Sequence, residues 1–142
     1  MTDPRTARLV TFYESLSPNI LGDLAKVYTD DVQFKDPFNT IQGITPLRAI
    51  FAHMFQALES PRFVITEAIT QGDQSFLIWH FEFSRKGLPS PMRIQGSTHI
   101  RYAPDGRVNW HRDYWDAAEE LYNHLPLVGG LFRWLQRRFR IV

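Results

Sequence analysis

The sequence predicts an α+β domain in which helices come first and strands second. Three observations carry this. Apolar residues recur at helical spacing from Leu9 to Leu58, they alternate at spacing two from Arg62 onward, and Gly, Pro and Asp turn signals separate the alternating runs. Such an order puts the helices on one side of an antiparallel sheet.

Leu9, Phe12, Tyr13 and Leu16 fall at i, i+3, i+4 and i+7 and predict an amphipathic helix over about 4–16, capped by Asp3-Pro4 and broken at Ser17-Pro18. A second short helix runs from Ile20 to Tyr28, with Leu21, Leu24 and Tyr28 on one side. The alternation from Val32 to Asp36 is a short strand that Pro37 stops. Thr45-Pro46 opens a third helix whose stripe is Leu47, Ile50, Phe51, Met54, Phe55 and Leu58. Four strands follow, at Phe63–Thr70, Ser75–Ser84, Met92–Tyr102 and Arg107–Trp115. Gly72-Asp73, Gly87–Pro91 and Pro104-Asp105-Gly106 supply the turns. Asp116–Leu125 is a last short helix, Pro126 with Gly129-Gly130 is a hinge, and Leu131–Val142 is a final helix. The chain therefore divides into one domain over 1–125 and a C-terminal helical unit over 126–142.

With 142 residues, 44% hydrophobic and 14% aromatic, the chain has enough apolar material for one buried core without staples. The absence of cysteine excludes disulfides, a thiol nucleophile and thiolate metal sites. No apolar leader opens the sequence and no run approaches a membrane span of about 20 residues, so a cytoplasmic chain is expected. The net charge of +1 conceals an asymmetry. Four of the 16 basic residues, Arg133, Arg137, Arg138 and Arg140, follow Glu120, after which there is no acid; the body keeps 12 against 15 acids. Its charge of −3 argues against nucleic acid as a partner.

The stretch VNWHRDYWD at 108–116 holds the most chemistry. Alternation puts Asn109, His111, Asp113 and Trp115 on one face and Trp110, Arg112 and Tyr114 on the other. A His and an Asp two residues apart, bracketed by tryptophans, describe the wall of a small-molecule pocket that is apolar with a few polar groups.

The segments VYTDDVQFKDPF at 27–38, GITPLRAIFAHMF at 43–55, the strands from 63 to 102 and RVNWHRDYWD at 107–116 resemble the nuclear transport factor 2-like superfamily, and more narrowly its SnoaL-like members, over roughly residues 5–125. The resemblance implies a curved antiparallel or mixed sheet that wraps the N-terminal helices into a cone. It further implies a ligand cavity inside the cone and a homodimer through the convex face. Asp36 falls where ketosteroid isomerases keep a general base, whereas the positions of their two oxyanion donors read Phe12 and Thr98. Tyr13 is one residue off and about 100° away round the helix. Two missing donors argue against steroid-type isomerisation. Asp113 matches the last-strand Asp of limonene-type epoxide hydrolases. His80 and Glu82 stand at that group's middle-strand positions, and Phe34 and Asp36 at its water site. SnoaL-type cyclases, which also use an acid near this strand, are the comparison least contradicted.

These residues combine into one expected site. Asp113 is the main acid/base, Asp36 a second carboxylate, and His80 with Glu82 a polarising pair. Phe12, Phe34, Ile78, Met92, Ile94, His111 and Trp115 line the pocket. A carboxylate in a partly dry, apolar pocket separates acid from base roles without a cofactor. No HExxH, no H-x-E-H and no tight His pair occurs, so neither metal nor cofactor is expected. The plainer readings are an Asx turn anchored by Asp36 before Pro37, a polar tie for Asp113, and a cross-strand pair for His80 and Glu82 on a solvated face. His53 and His99 belong to surface or packing. Two function classes follow: a cofactor-free isomerase, cyclase or hydrolase acting on a hydrophobic, oxygenated small molecule, or a binding module holding such a ligand. In a third, structural reading the cavity is filled by Phe34, Trp79, Met92 and Trp115.

On the final helix Val128, Leu131, Leu135, Phe139 and Val142 share a side, Arg133, Arg137 and Arg140 oppose them, and Trp134 sits at the border. This pattern fits peripheral contact with an anionic membrane through 131–142, or capping of the cavity. The plainer and preferred reading is a helix packed on the body or on a dimer partner, with its arginines solvated or paired to the acidic body.

Overall fold

Asp3 starts the fold as the sequence expects. Its carboxylate accepts the Arg5 N–H at 2.9 Å, and the Arg5 guanidinium beside it holds the carboxyl at about 2. The computed structural model describes residues 2–89 and 91–141; Met1, Ser90 and Val142, which the expected body, turn and final helix include, lie outside them. Helix α1 spans Pro4–Glu14 and a 3-10 stretch spans Pro18–Lys26. Strand β1 is Tyr28–Lys35, β2 is Thr40–Gln42 and helix α2 is Ile44–Ala57. Strands β3 Glu59–Gln71, β4 Gln74–Ser84, β5 Met92–Tyr102 and β6 Val108–Tyr114 follow. One helical turn, α3 (Ala117–Glu120), a 3-10 turn at Tyr122–His124 and helix α4 (Val128–Phe139) close the chain.

The six strands form one sheet in the order β2-β1-β6-β5-β4-β3, antiparallel except for the β1–β6 pair. Register shifts between Glu59 and Arg62 and between Ile65 and Glu67 interrupt β3. Such bulges bend a strand and raise its twist, which is how a flat ladder becomes a curved, open cone. Helices α1 and α2 fill the concave side. Leu9, Phe12 and Tyr13 of α1, Leu47 and Phe51 of α2, and the inward row Leu77, Trp79, Phe81 and Phe83 of β4 belong to one core. At the β3–β4 hairpin end the Thr6 hydroxyl meets those of Thr70, Tyr102 and Ser75 at 2.7, 2.9 and 3.1 Å. These hydroxyls, buried on Thr6, Ser75 and Tyr102 and half-buried on Thr70, satisfy one another and so tie α1 to the sheet.

Four elements differ from the sequence reading. The expected helix over 20–28 is a 3-10 stretch, and Tyr28 already belongs to β1, fully buried in the sheet. The three-residue β2 has too little alternation to be read from sequence. The helix expected over 116–125 is two separate turns. Gly129 and Gly130 lie inside α4 rather than in a hinge, and the chain bends instead at Leu127, whose φ is 63°. A Cβ on Gly129 would stand 2.5 Å from the Asn123 carbonyl oxygen, so this glycine permits close packing of α4 on the preceding turn. Among the described residues no helix is long and apolar enough to cross a membrane.

Candidate functional site

Strand β6 lies between β1 and β5, so both its edges are paired, and its side chains alternate at the site. His111 and Asp113 point inward, while Arg112 turns out over the Tyr114 ring at 4.6 Å. The Asp113 side chain is 19% exposed. Its Oδ1 accepts the Thr98 hydroxyl at 2.6 Å and the His111 Nε2–H at 2.7 Å; Oδ2 makes no hydrogen bond among the described residues. Thr98 is oriented in turn by the Trp79 indole, whose Nε1–H donates to Oγ1 at 2.8 Å. An indole only donates, so the Thr98 proton is directed to the carboxylate.

Behind Asp113 lies His111, at 2% exposure. Its ring packs 4.7 Å from Phe34, and its Nδ1 meets the hydroxyls of Tyr28 at 3.0 Å and Tyr13 at 3.3 Å. The two phenols also hydrogen-bond each other. With Nε2–H committed to Asp113, Nδ1 is the ring atom that faces the two phenol hydroxyls. Burial raises the pKa of Tyr13 well above 10, with Tyr28 and Asp113 adding to the rise. Tyr28 is likewise raised by burial. Both phenols therefore remain donors at neutral pH. The result is a continuous buried chain from Trp79 through Thr98, Asp113 and His111 to the tyrosine pair.

Asp113 opens onto a cavity of about 300 Å³ walled by Phe34, Phe51, Phe63, Trp79, Phe81 and Ile94. A smaller void of about 30 Å³, bordered by Tyr13, Thr98 and Asp113, adjoins it. The larger volume is at the lower end of the range for small-molecule sites. Phe38, His53 and Arg85 stand at the exposed rim, and Trp115 packs edge-on against Phe38 at 5.5 Å. The model of the SnoaL-like domain family matches residues 9–111, well over half the chain. The chain belongs to the SnoaL-like domain family. The match takes in the cavity-lining residues from Phe34 to Ile94 and stops short of Asp113, Trp115 and Leu121.

No curated protein matches the chain in sequence. Among solved structures, a protein with a ketosteroid isomerase-like fold from Catenulispora acidiphila DSM 44928, in complex with trimethylamine, superposes with a TM-score of 0.73 at 21% identity, covering 89% of this chain and 96% of that one. A protein from Jannaschia sp. CCS1 put forward as a SnoaL-like polyketide cyclase gives 0.71 at 15% identity, with 84% and 92% covered. An LEH-like epoxide hydrolase from M. tuberculosis gives 0.69 at 16% identity, with 94% and 96% covered. Identities this low establish a shared fold, here the nuclear transport factor 2-like cone, and no activity.

Within this SnoaL-like fold the expected site residues separate. Asp36 and Asp113 border one cavity, joined there by Phe34, Ile94 and Trp115. Asp36 is at the same time the anchor of its own turn. Its Oδ1 accepts the backbone N–H of Phe38 at 2.8 Å and of Asn39 at 2.6 Å, and the Asn39 amide reaches both oxygens at 3.2 Å. Phe12 and Met92 are buried in the core without reaching the cavity wall, and His111 acts from behind Asp113.

Other expectations need correction. His80, Glu82 and Ile78 lie on the convex face, because Leu77, Trp79, Phe81 and Phe83 occupy the inward row of β4 and its even-numbered neighbours must face out. There His80 meets Arg93 at 2.9 Å and Glu82 at 3.3 Å, and Arg62 pairs with Glu82 at 3.2 Å. This is a cross-strand network on the solvated side. The reading of a cavity plugged by bulky rings does not hold either: Phe34, Trp79 and Trp115 line open space.

Tyr13, Tyr28, Thr98 and Trp79 are the polar groups that the sequence reading did not assign to the site. The signal for Tyr13 was present. An amphipathic stripe is at least about 100° wide, so Phe12 and Tyr13 both face inward. Among the described residues no group of three His, Asp or Glu side chains is placed to hold a metal ion.

Proposed function

We propose that this SnoaL-like chain is a cofactor-independent isomerase, cyclase or hydrolase for a hydrophobic, oxygenated small molecule, with Asp113 as the proton-transfer group. One observation carries the reading: Asp113 holds one oxygen in bonds to Thr98 and His111 and leaves the other at the wall of an aromatic cavity. A base placed in this way takes a proton from a substrate C–H or from a water on Oδ2 and returns it at another atom. The bonds to Oδ1 fix its orientation throughout. His111 and the tyrosine pair position the carboxylate and distribute the change of charge; they do not touch the ligand. The proposed chemistry needs no metal and no organic cofactor.

Asp36 supports the competing reading, a module that binds such a ligand without transforming it. Its carboxylate is spent on the turn at 36–39, which leaves Asp113 without a second free acid. Turnover separates the two. Wild-type protein and Asp113→Asn are incubated with a panel of apolar epoxides, enolisable ketones and poly-β-ketone esters, and products are followed by mass spectrometry and NMR. Conversion by the wild type and not by the variant supports catalysis. Binding without conversion in both contradicts it and leaves a binding module.

We also propose that two copies pair through the convex face, where Ile69, Phe76 and Ile78 are exposed on the neighbouring strands β3 and β4 and Tyr114 is exposed on β6, across Ser97 of β5 from Ile78. Isolated apolar side chains are ordinary on a surface, whereas a cluster on a sheet face favours burial.

A further inference from the structure

Helix α4 touches the rest of the molecule along one side only. Gly129 abuts the Asn123 carbonyl, Phe132 stacks on Tyr122 with centroids 5.5 Å apart, and Arg133 Nη1 donates to the Asn123 carbonyl at 2.6 Å. The remaining apolar surface is open to solvent: Leu131 at 55%, Trp134 at 51% and Phe139 at 79% exposure, with Leu127 at 94% just before the helix. Arg137 borders this strip, Arg138 projects from within it between Trp134 and Leu131, and Arg140 caps the helix; among the described residues no carboxylate pairs with them. No Asp or Glu follows Glu120, so nothing in this segment offsets the positive charge.

We infer that α4 seats the chain on an anionic lipid surface with the mouth of the cavity turned toward it. Twelve residues make a helix of about 18 Å, too short to span a bilayer and suited to lying in its interface. An apolar strip enters the acyl boundary, Trp134 sits at its edge, and the arginines reach headgroup phosphates. The charge along this edge has one sign throughout. That matches a uniformly negative surface better than a second copy of the chain, whose faces mix acids and bases.

The helix is also joined to the cavity. Phe132 stacks on Tyr122, Tyr122 meets Phe38 at 6.4 Å, and Phe38 packs against Trp115, which lines the cavity. An apolar ligand dissolved in the bilayer then enters along an aromatic path without crossing water. This step rests on the reading of the cavity as an apolar-ligand site.

The test is sedimentation of the full chain with sucrose-loaded vesicles of phosphatidylcholine alone or mixed with phosphatidylglycerol. The wild type is expected to sediment with the anionic vesicles at low salt and to be released as salt rises. Replacing Arg137, Arg138 and Arg140 together by Ala is expected to weaken binding about 100-fold. Leu131→Ser with Phe139→Ser is expected to weaken it as well. These side chains are exposed, so melting temperatures should not change, which separates loss of docking from loss of fold. Equal sedimentation with neutral and anionic vesicles, or no effect of the arginine variant, overturns the inference. So does a chain that ignores vesicles but changes from dimer to monomer in the Leu131/Phe139 variant, which would assign the strip to a second copy. Asp113→Asn is expected to bind vesicles like the wild type, so a failed turnover assay and a failed docking assay are told apart.

Discussion

Replacing Asp113 by Asn keeps the shape of the side chain and an oxygen able to accept from Thr98 and His111, and removes the basic site that faces the cavity. The expected outcome is a fall in turnover of about 100- to 10,000-fold with ligand affinity little changed. Thr98→Val leaves the Trp79 indole without its acceptor and frees Asp113 to rotate; a smaller fall in kcat than for Asp113→Asn, at similar KM, is the outcome that marks Thr98 as a positioning residue. The tyrosine pair makes a separate prediction about pH. Both folded-state pKa values lie above the unfolded value of about 10, so the contribution to stability is complete below pH 10. It is lost as pH rises further, because the unfolded chain releases those protons first. Urea midpoints measured against pH should fall above pH 10, less steeply in Tyr28→Phe, and two of the five tyrosines should resist ionisation until the chain unfolds. At this scale Asp113 was legible, since alternation on one strand decides which way it points. The partners of His111 were not, because Tyr13, Tyr28 and His111 meet only when three elements close around them.

Strand β4 shows what an element decides. The even-numbered His80 and Glu82 carry the tempting chemistry, but Leu77, Trp79, Phe81 and Phe83 fix which row is buried, and burial of four large apolar side chains outweighs a polar pair. The parity could be read from sequence once the aromatic row was given priority. Gly96 on β5 opposes Trp79, and a Cβ there would stand 2.5 Å from the indole ring and 3.0 Å from the Trp115 Cβ. Gly96→Ala is therefore expected to cost about 1–3 kcal/mol and to swing Trp79 off Thr98, seen as a lowered urea midpoint and altered tryptophan fluorescence. Thr6→Val removes the centre of the four-hydroxyl cluster: Ser75 keeps its bonds to Thr70 and Tyr102, and each of the three loses its bond to Thr6. A similar loss of about 1–3 kcal/mol in denaturant unfolding is expected. The 3-10 stretch at 18–26 and the glycines of α4 escaped the sequence because both answer to tertiary packing: Leu21 and Leu24 are held by the core, and Gly129 by the Asn123 carbonyl.

For the molecule as a whole, helices on one side of a mostly antiparallel sheet follow from patterning, the bending of that sheet into a cone follows from the family resemblance, and the family model matches residues 9–111. The convex face and α4 are surfaces whose partners a single chain does not contain. If two copies pair through Ile69, Phe76 and Ile78, Ile78→Glu should shift sedimentation equilibrium toward monomer while leaving the Asp113 network intact, since that side chain points away from the cavity. Carboxylate, cavity and cone converge in one claim, that the free oxygen of Asp113 moves a proton on a ligand held by aromatic walls. The measurement closest to it is a single-turnover rate for a compound converted in the substrate panel, taken alongside its Kd, in wild type and Asp113→Asn. The account expects the rate to fall at least about 100-fold while Kd changes less than about tenfold. A variant that keeps the rate, or loses it only because the ligand no longer binds, would contradict it.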